Sequence, residues 1–205
     1  MPENSRINQR ALVSMIRGKS IEVGIRYALK NDISVTKVKK AQKIAIEHYY
    51  NHSKHLNKNI VRRYEKQIPP LVLSGIRMLN NVNAKGYKSD NEKRIKIKGQ
   101  DNFAYPDFKL NSINIDGVKI KNPTIELKTS EITSKSKILK AGHQSLKYKS
   151  KKDKNSLILY LSAKKTKKRY NPYKVKAEIF RVSENNHLNN EIFLKRADTL
   201  GVSCN

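Results

Sequence analysis

Asp107, Glu126 and Lys128 are the residues of this chain whose types and spacing could do chemistry. The two acids stand nine positions to either side of Asp116-Gly117. An Asp-Gly pair between alternating segments, here Ile113-Asn114-Ile115 and Val118-Lys119-Ile120, is a strong signal for a two-residue hairpin. Residues counted equally outward from such a turn are cross-strand partners, so Asp107 should lie opposite Glu126. Partners on one face have Cβ atoms about 4.5–5.5 Å apart, where two carboxylates repel unless a cation lies between them. A divalent metal is the natural cation. Lys128, two residues beyond Glu126, shares its face, so two carboxylates and an ammonium are expected to converge on one point.

Two other readings of the same residues stay open. A surface hairpin with a solvated Glu-Lys pair has the same pattern, and Pro123 interrupts the ladder between the turn and Glu126, which could shift the pairing by one residue. Asp107-Phe108-Lys109 is itself an acid-x-Lys, for which Asp101 would supply the first acid.

Elements on either side must position these groups. Ile21, Ile25, Ala28 and Leu29 recur at helical spacing, predicting an amphipathic helix over about residues 14–30 that is opened by Arg17-Gly18 and carries Glu22. Residues 33–80 read as mostly helical, with Ser34 or Thr36 as a cap and Pro69-Pro70 as the end of the second helix. Lys39, Lys40, Lys43, Arg62 and Arg63, with Lys37, Lys54, Lys58 and Lys66, give this region its charge. The Asn-rich stretch over residues 80–91 reads as a loop. From Ile95 the period changes to two: a first strand at 94–98, the hairpin over 105–115 and 118–129, then a helix capped by Thr133 or Ser134 and reaching about Tyr148. Leu157–Leu161 is a continuous apolar run, as in a strand buried on both faces, and 175–182 alternates again. Strand, hairpin, helix, buried strand and strand is the order of an α/β fold with a mixed central sheet flanked by helices.

The 205 residues carry 44 Lys and Arg against 17 Asp and Glu, a formal charge of +27. So large a positive field calls for a polyanion, and nucleic acid is the default partner. A purely architectural basic protein fits the composition equally well. Cys204 is the only cysteine, which excludes an intrachain disulfide and cysteine-based zinc or iron–sulfur sites. No apolar run approaches a membrane span and the opening residues lack a signal-peptide core, so a cytoplasmic location without a membrane partner is expected. His48 and His52 have the spacing of a metal-binding pair, yet read better as an exposed, partly protonated helix face near a phosphate backbone.

Pro106-Asp107 followed by Glu126-Leu127-Lys128 resembles the PD-(D/E)xK nuclease superfamily. The resemblance implies a restriction-endonuclease-like core in which Asp107, Glu126 and the Leu127 carbonyl hold Mg2+ and Lys128 contacts the attacking water or the scissile phosphate. Glu22 resembles the acid of the Gly-x-x-x-acid pattern on the family's first helix. Gln144 and Tyr148 resemble the Gln-x-x-x-Tyr pair of its RecB-like branches. Residues 1–205 would then be a single nuclease domain, with core elements at about 14–32 and 93–205 and a basic helical insertion at about 33–92. That insertion, together with Lys147, Lys149, Lys151 and Lys152, would grip double-stranded DNA. Within the superfamily the chain looks most like the type II restriction endonucleases, which act as homodimers and leave 5′-phosphate and 3′-hydroxyl ends. A structure-specific repair or recombination nuclease is the rival enzyme, and a non-catalytic nucleic-acid-binding protein the rival of another class.

Overall fold

The computed structural model describes residues 3–31, 37–89, 95–96, 103–131, 135–146, 155–167, 173–184 and 192–202, with the backbone alone at 3–8, 183–184 and 192–202. Among the described residues five helices, α1 (Glu3–Lys30), α2 (Val38–Ser53), α3 (Lys58–Glu65), α4 (Ile68–Asn81) and α5 (Lys135–Leu146), accompany nine strands. These are β1 (Lys85–Tyr87), β2 (Ile95–Lys96), β3 (Phe103–Ala104), β4 (Phe108–Ile115), β5 (Val118–Lys121), β6 (Thr124–Ser130), β7 (Ser156–Lys165), β8 (Tyr173–Glu184) and β9 (Ile192–Val202). The main sheet runs β1-β4-β6-β7-β8-β9, with β5 also paired to β4. Its pairs are antiparallel except β6 with β7, which run parallel and are joined through α5. This is an α/β fold with a mixed sheet flanked by helices.

Alternation along the strands sorts the core into two layers. Ile125 and Leu127 on β6, Leu157, Leu159 and Leu161 on β7, and Val175, Ala177 and Ile179 on β8 join one apolar cluster with Ile21 and Ile25 of α1 and Leu71 and Val72 of α4. Ile158, Tyr160, Phe180 and Val182 point the other way and pack with Ile138 and Ala141 of α5. Glu126 and Lys128 lie between the inward residues of the first layer, so they face the α5 side. Gly24 of α1 meets α2 so closely that a Cβ there would stand 2.8 Å from the Ala41 carbonyl oxygen.

The hairpin has the expected turn: Asp116 and Gly117 both have positive φ, 52° and 78°, as a type I′ turn requires. Pro123 splits the returning strand into β5 and β6 without inserting a residue. Ser112 pairs with Lys121 before the break and Lys109 with Thr124 after it, at one unchanged offset. Leu110 still donates to the Pro123 carbonyl at 3.1 Å, because proline lacks only a donor.

Several boundaries differ from the sequence reading. Gly18 lies inside α1, next to Thr129 of the sheet, and the helix begins at Glu3 and not at about 14. Pro69-Pro70 begins α4, where the missing N–H would have had no helical partner anyway. Of the strand expected at 94–98, Ile95–Lys96 is described, and it pairs with Phe103–Ala104 in a separate two-stranded sheet. The edge strand beside β4 is instead β1, inside the stretch read as a loop. Apolar side chains of α2, α3 and α4 join the same cluster as α1 and the sheet. Ser34, Thr36, Thr133, Ser134 and Tyr148, as well as Asp101, Lys147, Lys149, Lys151 and Lys152, lie outside the described residues.

Candidate active site

Phe108 pairs with Ile125, which puts Asp107 and Glu126 at the next position of the same ladder. One step further the partner of Leu127 is Pro106, which has no N–H to give to the Leu127 carbonyl. The ladder therefore ends here, and the Asp107 side chain takes over: its Oδ2 accepts the Leu127 N–H at 2.7 Å. In an extended strand the N–H and C=O of one residue project to the same edge, so the Leu127 carbonyl faces the Asp107 side too. Pro-Asp at this position thus stops the pairing and leaves three oxygen-bearing groups at one strand end.

Glu126 is buried, and Lys128 Nζ reaches its Oε1 at 2.6 Å and Gln144 Oε1 on α5 at 3.0 Å. Gln144, on the last described turn of α5, therefore helps to hold the ammonium over the strand. On α1, Glu22 is also buried, with Lys19 at 2.7 Å from one carboxylate oxygen and Arg26 on the other. Sequence reasoning singled out Glu22 and missed its two cations, although their spacing at i−3 and i+4 is the ordinary signature of helical ion pairing.

The electrostatics single out Asp107. Burial, then the charges of Glu126 and Glu22, raise its carboxyl from 3.8 to about 7, against the opposing pull of the Leu127 N–H and Lys128. A cation among these acids would relieve that burden. The donors present are hard oxygens, two carboxylates and a main-chain carbonyl, and Mg2+ is characteristically held by one or two carboxylates with water completing its shell. The residues thus fit magnesium. Among the described residues no three Asp, Glu, His or Cys side chains form a ready-made metal cage.

The basic residues take up different positions. Lys39, Lys40 and Lys43 are exposed on α2 and Arg62 and Arg63 on α3. Lys43 faces Glu47 at 3.8 Å, Lys40 lies over the Tyr27 ring at 5.6 Å, and Arg63 contacts Glu131 just past β6 at 3.2 Å. Lys164, Lys165 and Lys167 are exposed where β7 ends. His48 departs from the expected protonated face: burial, then His52 and Lys19, push its imidazole below the ordinary value. A cleft of about 340 Å³ lined by Leu29, Asn80, Asn83, Ala84, Lys85, Gly86 and Tyr87 contains none of the catalytic candidates. Among the described residues no helix is long and apolar enough to cross a membrane. No family model, curated protein or solved structure matches the chain.

Proposed function

We propose that this chain is a magnesium-dependent deoxyribonuclease with a restriction-endonuclease-like core, working as a homodimer on double-stranded DNA in the manner of a type II site-specific endonuclease. The observation that carries the reading is the placement of Asp107 across from Glu126 at the end of a ladder, with Lys128 held on the same face. The charge of +27 supports a polyanionic substrate. The order helix, hairpin, parallel crossover through α5 and further strands supports the core.

Asp107, Glu126 and the Leu127 carbonyl would hold Mg2+, which when bound polarises the scissile phosphate and lowers the pKa of a coordinated water. Lys128, fixed by Glu126 and Gln144, orients the attacking water and offers its positive charge to the negative charge that grows on the phosphoryl oxygens. Glu22, flanked by Lys19 and Arg26, shapes the field at Asp107 and would act on a bound metal through water. Exposed cations on α2 and α3 hold the phosphate backbone and set the register of the duplex, a contribution that carries no base specificity. Cleavage leaves a 5′-phosphate and a 3′-hydroxyl.

The test is cleavage of linear duplex DNA with and without Mg2+ by the wild type and by Asp107→Ala, Glu126→Ala and Lys128→Ala. Discrete fragments from the wild type, with cleavage abolished and binding kept in all three variants, are expected. Near wild-type cutting by any of the three would overturn the assignment, and preferential cutting of four-way junctions would replace restriction by recombination or repair.

A further inference from the structure

The end of α2 and α3 enclose a cleft of about 280 Å³. Leu56 of the connecting turn and Val61 of α3 make part of its lining apolar. Tyr50 and Lys54 stand four residues apart at the end of α2, and Lys58 and Arg62 four apart on α3, so each pair shares one helix face and both pairs line the cleft. Lys54, Lys58 and Arg62 are exposed, and among the described residues none of the three meets an acid in an ion pair. Tyr50 is 43 % exposed, yet it is held in place. Its hydroxyl bonds to the Glu65 carboxylate at the end of α3, and its ring lies tilted against Tyr49, centroids 6.2 Å apart. The buried Tyr49 donates to the Val61 carbonyl at 2.9 Å, which ties one wall of the cleft to the other. Arg63, the next residue on α3, contacts Glu131 just past the strand that carries Glu126 and Lys128.

We propose that this cleft is a binding site for one unpaired nucleotide of a nucleic-acid strand, with its base on the Tyr50 ring and its phosphates among Lys54, Lys58 and Arg62. An aromatic ring beside cations suits a single strand, because every base has a π-face and every nucleotide a phosphate. A base inside a duplex is stacked on both faces, so paired DNA can use the cations but not the ring. The volume lies at the lower edge of small-molecule clefts, roughly 300–1,000 Å³, which suits one base better than a base pair. The α3 amides are not the phosphate ligands, since the Asn57 side chain already accepts from Asn59 and Ile60; the three side-chain cations supply the charge. Two hydroxyl anchors fix the walls before anything binds, so little ordering remains to oppose capture. The proposal rests on nucleic acid as the partner and does not depend on cleavage.

The experiment is fluorescence anisotropy of the full chain with a labelled short oligothymidylate and with a blunt duplex, in a chelating buffer so that neither is cut. The wild type should bind both. Tyr50→Ala should weaken oligothymidylate binding about tenfold or more, as loss of one stacked base does, and leave the duplex within about twofold. Tyr50→Phe, which keeps the ring, should restore most of the affinity, and thermal melts verify that each variant is folded. Lys54→Gln combined with Lys58→Gln should lower the salt slope for oligothymidylate by about 0.7 for each phosphate no longer neutralised. Wild-type affinity of Tyr50→Ala for oligothymidylate, or an equal loss on the duplex, overturns the site. Polyglutamate bound as tightly, with the same dependence on Tyr50, overturns it in favour of an acidic protein partner. Cleavage is scored separately: its absence refutes the nuclease reading and leaves a Tyr50-dependent site standing, whereas binding of the duplex alone overturns the site and leaves the nuclease.

Discussion

Replacing Asp107 by Asn should stabilise the metal-free protein, by an amount set by pH. An Asp in the unfolded chain titrates near 3.8, whereas in the fold Asp107 titrates near 7. Between these values the native state keeps a proton that the unfolded chain has lost, so wild-type stability falls as pH rises across this window. The slope is about 1.4 kcal/mol per pH unit, which accumulates to about 4 kcal/mol by pH 7 and then levels off. Asn cannot ionise, yet its carboxamide oxygen can still accept the Leu127 N–H. Allowing for a weaker acceptor, Asp107→Asn should gain about 2–4 kcal/mol over the wild type at pH 8 in a chelating buffer and little near pH 4. For a chain of this size that is a rise in melting temperature of roughly 5–10 °C. Thermal melts followed by circular dichroism across this pH range would measure it. Magnesium at pH 8 should raise the wild-type melting temperature and leave the variant unmoved, closing the gap. A difference independent of pH, or a variant less stable at pH 8, would refute the claim that like charge and burial dominate at Asp107.

Other expectations follow from the same geometry. Magnesium affinity, measured by titration, should weaken as pH falls below about 7, approaching tenfold per unit, because the metal must displace the Asp107 proton. Gln144→Leu should lower cleavage without altering DNA affinity, since it frees Lys128 from one of its two anchors while leaving Glu126 in place. Neutralising Lys39, Lys40, Lys43, Arg62 and Arg63 together should flatten the salt dependence of DNA binding, by about 0.9 in slope for each phosphate that the variant no longer neutralises, and cleavage should recover at saturating enzyme. Gly24→Ala should destabilise the fold by about 1–3 kcal/mol in chemical denaturation, because the added methyl meets a main-chain oxygen that cannot rotate away.

The hairpin was legible because two local rules agreed: a turn that demands positive φ at two residues, filled by Asp and Gly, and a side-chain period of two on either side. That agreement fixed the partner of Asp107 even across Pro123, since a missing donor does not change the count of residues. Lys128 followed from the same period. The anchor on Gln144 depends on how α5 docks, which no local pattern encodes. β1 escaped detection because three residues centred on Gly86, itself at positive φ, carry no alternation, and their pairing is dictated by the exposed edge of β4. The Pro69-Pro70 boundary was reversed because proline marks a helix start as readily as a stop when only the first turn is concerned. His48 was misread because its ionisation depends first on burial, which only the packing of α2 decides, and then on His52 and on Lys19 of another helix.

The unbroken offset of the hairpin also has a kinetic meaning. Asp107 and Glu126 belong to one contiguous stretch, so they meet by zipping outward from the Asp116-Gly117 turn, with little loop entropy to overcome. They are the last rung to close, and closing it brings two negative charges together beside a proline that offers no further bond. Local opening in the absence of a cation should therefore begin at the rung that carries the carboxylates and travel toward the turn, leaving the rest of the sheet paired. The Leu127 amide hydrogen, whose acceptor is the Asp107 carboxylate, would exchange with solvent ahead of its neighbours on β6, and a bound dication would act as the clasp that slows it.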